Sequence, residues 1–308
     1  MKKIISILFV FALLQSCAGT KDMYIFTSFH EPATEGLRYL YSSDGRHWDS
    51  IPGTWLTPCV GTQKVMRDPS LLRTSDGTFH LVWTSSWRGD RGFGYSESKD
   101  LIHWSDERFI EVMEDTTTVN VWAPEWFYDD ERDEAMVVWA SCIPNKFDLG
   151  IEDVNNNHRL FYSTTKDFRT FSKGKLLFDP GFSCIDAQII KKGRKDYVMV
   201  LKDNTRPNRN LKIFFATDPH GPWSAPSEPF TPEFCEGPNV AKVKDGYIIY
   251  CDRYRTKDFG GYFTKDFITI EDQSDRVSVP PLHKHGTICM VPAKIVKQLI
   301  AAGQKKKP

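Results

Sequence analysis

Apolar residues in this chain come in short runs cut by polar turns. The runs at 79–83, 136–139, 197–201, 211–215 and 247–250 are rich in Val, Ile, Tyr, Phe and Trp, and Gly, Asp or Asn bounds them. That pattern predicts short strands rather than helices. Ser75-Asp76-Gly77 and Lys244-Asp245-Gly246 read as hairpin turns, with Gly193 at a matching place in a third hairpin. Helical periodicity is confined to 293–302, which predicts one short amphipathic helix near the C-terminus. The chain is therefore expected to be all-β.

A longer period overlies the strands. An acidic turn recurs five times, with an Asp followed about four residues on by a bulky apolar side chain. The copies end at Trp48, Trp104, Phe171, Trp223 and Ile270, and their Asp residues are Asp44, Asp100, Asp167, Asp218 and Asp266. The steps between these Asp residues are 56, 67, 51 and 48. A period near fifty predicts a β-propeller with one four-stranded blade per repeat. Four repeats open near Arg67, Trp122, Ile185 and Glu236. The fifth is split: 285–291 supplies its first strand and 24–48 the others. The expected fold is a five-bladed β-propeller closed by pairing of the N- and C-terminal strands, which leaves no open sheet edge. One repeat carries a polar, turn-rich insertion at 143–157 that is expected to wall a rim.

Composition narrows the class. Forty basic and forty acidic residues cancel among 308, so no charge excess draws the protein to nucleic acid. Lys2 and Lys3 precede an eleven-residue apolar stretch at 4–14, too short for a membrane span and suited to a signal peptide over 1–16. Leu14-Gln15-Ser16-Cys17 resembles a bacterial lipobox, which implies lipidation of Cys17 and anchoring to the bacterial envelope, on the periplasmic or the outer face. A single domain is expected over 22–308. Export permits disulfides, but the six later cysteines show no metal-binding spacing, and most are expected to be buried strand residues.

Three acidic residues open strand-like runs: Asp68, Asp186 and Glu236. Each lies a similar distance before its acidic turn: 32 residues to Asp100, 32 to Asp218 and 30 to Asp266. That common phase places them near one structural position in three blades, facing the mouth of the central channel. Converging carboxylates suit glycoside hydrolysis, in which one protonates the leaving oxygen and another serves water or the sugar on the opposite face.

The strings Arg67-Asp68-Pro69-Ser70, Trp122-Ala123-Pro124-Glu125, Ile185-Asp186, Glu236-Gly237-Pro238 and His285-Gly286-Thr287 occur in this order. Over roughly 60–292 the chain thereby resembles glycoside hydrolase family 43. The resemblance implies a five-bladed propeller and inverting hydrolysis of arabinose- or xylose-containing plant glycans. It makes Asp68 the general base, Glu236 the general acid and Asp186 the residue that orients Glu236 and tunes its proton affinity. It also places His285 in the channel, in some relatives beside a calcium ion; no cofactor is required for the chemistry. Arg67 and Trp122 are expected at the substrate, with Glu125 in a binding role at most. Phe29 and His30 are expected as sugar contacts particular to this chain, and Trp87 as a stacking platform. Ala187 stands where the family often has Pro.

The function expected is an exo-acting α-L-arabinofuranosidase. A β-xylosidase or an endo-arabinanase on the same scaffold, and a surface lipoprotein that binds glycans without cleaving them, are the alternatives. The acidic turns also resemble the Asp box of sialidases, which would require Arg38, Arg67 and Arg253 to converge on a substrate carboxylate.

Overall fold

The structure is a computed structural model that describes residues 22–306. The signal peptide and Cys17 lie outside the described residues. Five antiparallel sheets follow one another as meanders. Blade 1 runs outward from Arg67–Arg73, blade 2 from Trp122–Asp129, blade 3 from Cys184–Gly193 and blade 4 from Cys235–Val243. In blade 5 the innermost strand is Ile288–Val291, paired with Met23–Ser28, so both ends of the chain close the ring. The five innermost strands touch one another in a circle and line the axis.

Each blade buries both faces, which explains why the strands are continuously apolar rather than alternating. Phe79–Thr84 is buried along its whole length. One apolar cluster fills each of the five gaps between blades. The helix Ala293–Gln304 seals the outside of the gap between blades 5 and 1 with Val296 and Leu299. Four of the cysteines are buried and none is bonded to another among the described residues.

Blade 3 departs from the expected four strands and has three. Its outer segment carries Pro219, Pro222, Pro226, Pro229 and Pro232, and proline has no N–H to give to a ladder. The segment still follows the third strand, donating from Ser224, Ser227 and Phe230 to Phe215, Ile213 and Leu211.

The acidic turns share one construction. In four blades the Asp Oδ1 accepts the N–H groups two and three residues on: Arg46 and His47, Ile102 and His103, Arg169 and Thr170, Ile268 and Thr269. A Ser or Thr two residues earlier caps the left-handed residue after the Asp. These turns join the third and fourth strands. Since strands alternate in direction, that is the end of the blade opposite the start of the innermost strand. The loops between second and third strands lie on the same side as that start: 29–37, 85–91, 143–157, 204–210 and 254–257.

Candidate active site

The innermost strands of blades 1 to 4 begin with the same β-bulge. Pairing with the second strand breaks after Arg67, Trp122, Ile185 and Glu236 and resumes at Ser70, Glu125, Gln188 and Asn239. The next residue is left-handed in every case: Asp68 at φ 51°, Ala123 at 48°, Asp186 at 53° and Gly237 at 56°. Bulges re-aim side chains beside active sites, and a left-handed non-glycine residue there carries strain. The bulge also corrects the phase inferred from sequence. Asp68 and Asp186 are equivalent, whereas Glu236 sits one position earlier, level with Arg67 and Trp122. Gly237 holds the position equivalent to the two Asp residues, where a Cβ would lie 2.0 Å from the His285 ring.

Both layers line one hollow of about 390 Å³, bounded by Arg67, Asp68, Thr84, Trp87, Trp122, Ile185, Asp186, Glu236 and His285. His285 Nε2 lies 2.9 Å from Asp68 Oδ1, and its Nδ1 lies 3.3 Å from Asp252 Oδ2. Burial alone would depress this imidazole, but hydrogen bonds to Asp252 and Asp68 hold it well above its ordinary value. Both ring nitrogens therefore face a carboxylate, which favours the protonated ring. Burial pushes Asp68 up, yet His285, Arg67 and the Thr84 hydroxyl at 2.8 Å outweigh that and keep it below the usual carboxylate range. Asp186 goes the other way. Burial raises it to about 6, with Glu236 and Asp68 adding to the rise while His285 and Lys202 oppose it. Asp186 Oδ2 accepts the Gly237 N–H at 3.0 Å. Glu236 Oε2 accepts from the Lys202 ammonium at 2.9 Å.

The rim is aromatic and cationic. The Arg67 guanidinium lies between the rings of Phe29 and Trp87, 5.0 and 4.7 Å from their centroids, and bonds Glu31 at 2.6 Å. Trp87 is 47% exposed and packs on Trp122, whose indole N–H donates to the Trp87 carbonyl. Trp122 in turn stacks on buried His158 at 4.8 Å. Phe29 is fully buried, beneath Arg67 and against His285, so it supports the site without presenting a face to a sugar. His30 packs edge-on against His283 and lines a neighbouring hollow with Glu31, Leu282 and Lys284. Glu125 lies one layer deeper, accepting from Gln188 at 3.0 Å and Thr287 at 2.8 Å. Burial raises it to about 7 against those hydrogen bonds. The insertion at 143–157 is latched to the blade 3 loop, where Glu152 and Asp153 meet Arg206.

Glu236, Asp252 and His285 each offer a donor atom within 4.8 Å of the others. This set does not fit a divalent cation. Lys202 already sits on Glu236, Lys284 sits 3.1 Å from both Asp252 oxygens, and the two His285 nitrogens already face Asp68 and Asp252. The three arginines a sialidase would need are spent on separate carboxylates: Arg38 on Glu35, Arg67 on Glu31 and Arg253 on Asp258.

Sequence reasoning missed Thr84, Lys202 and Asp252. They are the second-strand partners of Arg67, Ile185 and Glu236. A signal existed: each lies 16 or 17 residues after its partner, and Lys202 and Asp252 put a charge at the end of an apolar run.

A propeller whose innermost strands gather three carboxylates under an aromatic rim is the architecture of a glycoside hydrolase. The chain belongs to the glycoside hydrolase 43-related family, whose profile, a probable glycosyl hydrolase domain, matches residues 21–296. No curated protein matches it. Among solved structures it is similar to an exo-β-1,3-galactanase from Clostridium thermocellum, with TM-score 0.61, 16% identity, and 82% of this chain and 59% of that one covered. An α-L-arabinofuranosidase from Lactobacillus brevis aligns with TM-score 0.55 and 17% identity, over 68% of this chain and 72% of the other. A Dyadobacter fermentans protein of unknown function aligns with TM-score 0.56 and 13% identity, over 85% and 84% of the two chains. The chain thus spans little more than half the length of the galactanase.

Proposed function

We propose that this protein is an inverting, exo-acting glycosidase that removes a terminal sugar from a plant glycan. The observation that carries the reading is the convergence of three carboxylates on one hollow. His285, Arg67 and Thr84 keep Asp68 below the usual carboxylate range, as suits a general base, and Asp186 and Glu236 line the same hollow. Asp68 takes a proton from the attacking water, and Glu236 gives one to the leaving oxygen. Trp87 and Trp122 at the edge of the hollow offer rings against which a terminal sugar would pack, which supports exo action. The α-L-arabinofuranoside is the first substrate to test. A terminal β-1,3-linked galactose is the second, because the galactanase aligns over more of this chain than the arabinofuranosidase does.

The deciding experiment incubates the protein with p-nitrophenyl α-L-arabinofuranoside and with β-1,3-galactobiose and follows the first-formed anomer by proton NMR. Inversion is expected on one of them. Asp68→Asn and Glu236→Gln are each expected to remove at least ~100-fold of kcat on the unactivated disaccharide or its arabinoside counterpart while leaving the fold intact. Retention of configuration, or a Glu236→Gln protein at wild-type rate, sinks the assignment.

A further inference from the structure

Lys202 is a buried cation with a task not explained by packing. Its side chain is 4% exposed, and its Nζ lies 2.9 Å from Glu236 Oε2. Its charge is felt by Asp186, and the Tyr254 ring lies 5.0 Å from the ammonium. Glu236 Oε1 has no hydrogen bond among the described residues, so only Oε2 is engaged by protein. Asp186, by contrast, reaches the Gly237 backbone rather than the Glu236 carboxyl. A buried ammonium is costly unless its partner repays the loss of water, so its placement fixes that partner.

We propose that Lys202 is the positioning residue of the general acid: it pins Glu236 through Oε2, aims Oε1 at the leaving oxygen, and stabilises the carboxylate that forms there. This rests on the functional reading above. In the step itself, Glu236 Oε1–H passes its proton to the glycosidic oxygen as the bond from that oxygen to the anomeric carbon breaks. The bonding pair stays on the departing oxygen. Water adds to the anomeric carbon from the opposite face and loses a proton to Asp68. Glu236 is left with a negative charge beside an ammonium already in place, so no reorganisation accompanies its formation.

The test uses the full chain as wild type, Lys202→Met, Glu236→Gln and the double variant. The substrates are the methyl and 2,4-dinitrophenyl α-L-arabinofuranosides, or the same pair of β-D-galactosides if the wild type prefers galactose. Dinitrophenolate leaves without a proton, and methanol does not. Lys202→Met is expected to lose ~100-fold in kcat on the methyl glycoside and less than ~5-fold on the dinitrophenyl one, with KM little changed. In the Glu236→Gln background the same change is expected to add no further loss. Equal losses on both substrates, or losses that simply multiply in the double variant, overturn the proposal. If Lys202→Met alone fails to fold, the double variant is expected to fold, because a neutral amide replaces the acid left without its partner; failure of both overturns the proposal. A wild type that hydrolyses neither pair overturns the functional reading and this inference with it, whereas an active wild type with equal losses overturns only the role of Lys202.

Discussion

At the residue scale, the site is a set of charges that neighbours pull in different directions. Asp68, Asp186, Glu236 and His285 were legible as chemistry-bearing residues because they stand in short ordered strings. Their supports were not, since Thr84, Lys202 and Asp252 come from second strands and look in sequence like ordinary strand ends. Phe29 shows the converse. As an aromatic in an unusual string it suggested a sugar contact, but its burial beneath Arg67 gives it a supporting role. Glu125 permits a test that needs no substrate. Its folded-state value of about 7 exceeds the ordinary 4.5, so the folded state binds this proton more tightly than the unfolded chain. That contribution is complete below about pH 4.5 and is lost as pH rises through 7. Thermal or urea unfolding from pH 5 to 8 should therefore show wild type losing on the order of 1–3 kcal/mol relative to Glu125→Gln, which stays neutral throughout. Parallel pH profiles for the two proteins would show that Glu125 ionises normally.

At the scale of the element, the acidic turn and the bulge are two local devices at opposite ends of a blade. The turn was legible because its logic is local: a carboxylate accepts nearby N–H groups and a hydroxyl caps the next residue. Asp100→Ala removes the acceptor of the Ile102 and His103 N–H groups and is expected to cost about 1–2 kcal/mol in urea unfolding, with kcat unchanged, because the site is at the other end. A loss of activity without a loss of stability would contradict that separation. The bulge was not legible. Nothing local distinguishes a regular strand start at Arg67 or Glu236 from one that inserts a left-handed residue, so spacing alone put Glu236 in phase with the two Asp residues. The missing fourth strand of blade 3 was written in its five prolines, yet the acidic turn at Asp218 masked it by keeping the repeat intact.

At the scale of the molecule, stability and site are joined through ring closure. Ile288–Val291 completes blade 5, and the residues just before it bring His285 between Asp68 and Asp252. A chain ending at residue 284 is expected to lose cooperative unfolding in calorimetry, since Met23–Ser28 becomes an open edge and the clusters of the two flanking gaps lose their inner wall. A chain ending at residue 292 should still fold, losing about 1.5–3 kcal/mol for each of the buried Val296 and Leu299. If both truncations melt like the full chain, the ring is not the cooperative unit. The sequence by itself determined the blade count, the split blade, the recurring acidic turns and which three carboxylates gather at one hollow. These follow from local periodicity and side-chain chemistry, which a linear chain displays directly. The tertiary structure alone decided the one-residue offset of Glu236, the pairing of Lys202 with it, and the opposed proton affinities of Asp68 and Asp186. Those depend on electrostatic fields and burial created by strands that are distant in the chain and adjacent only once the ring has closed.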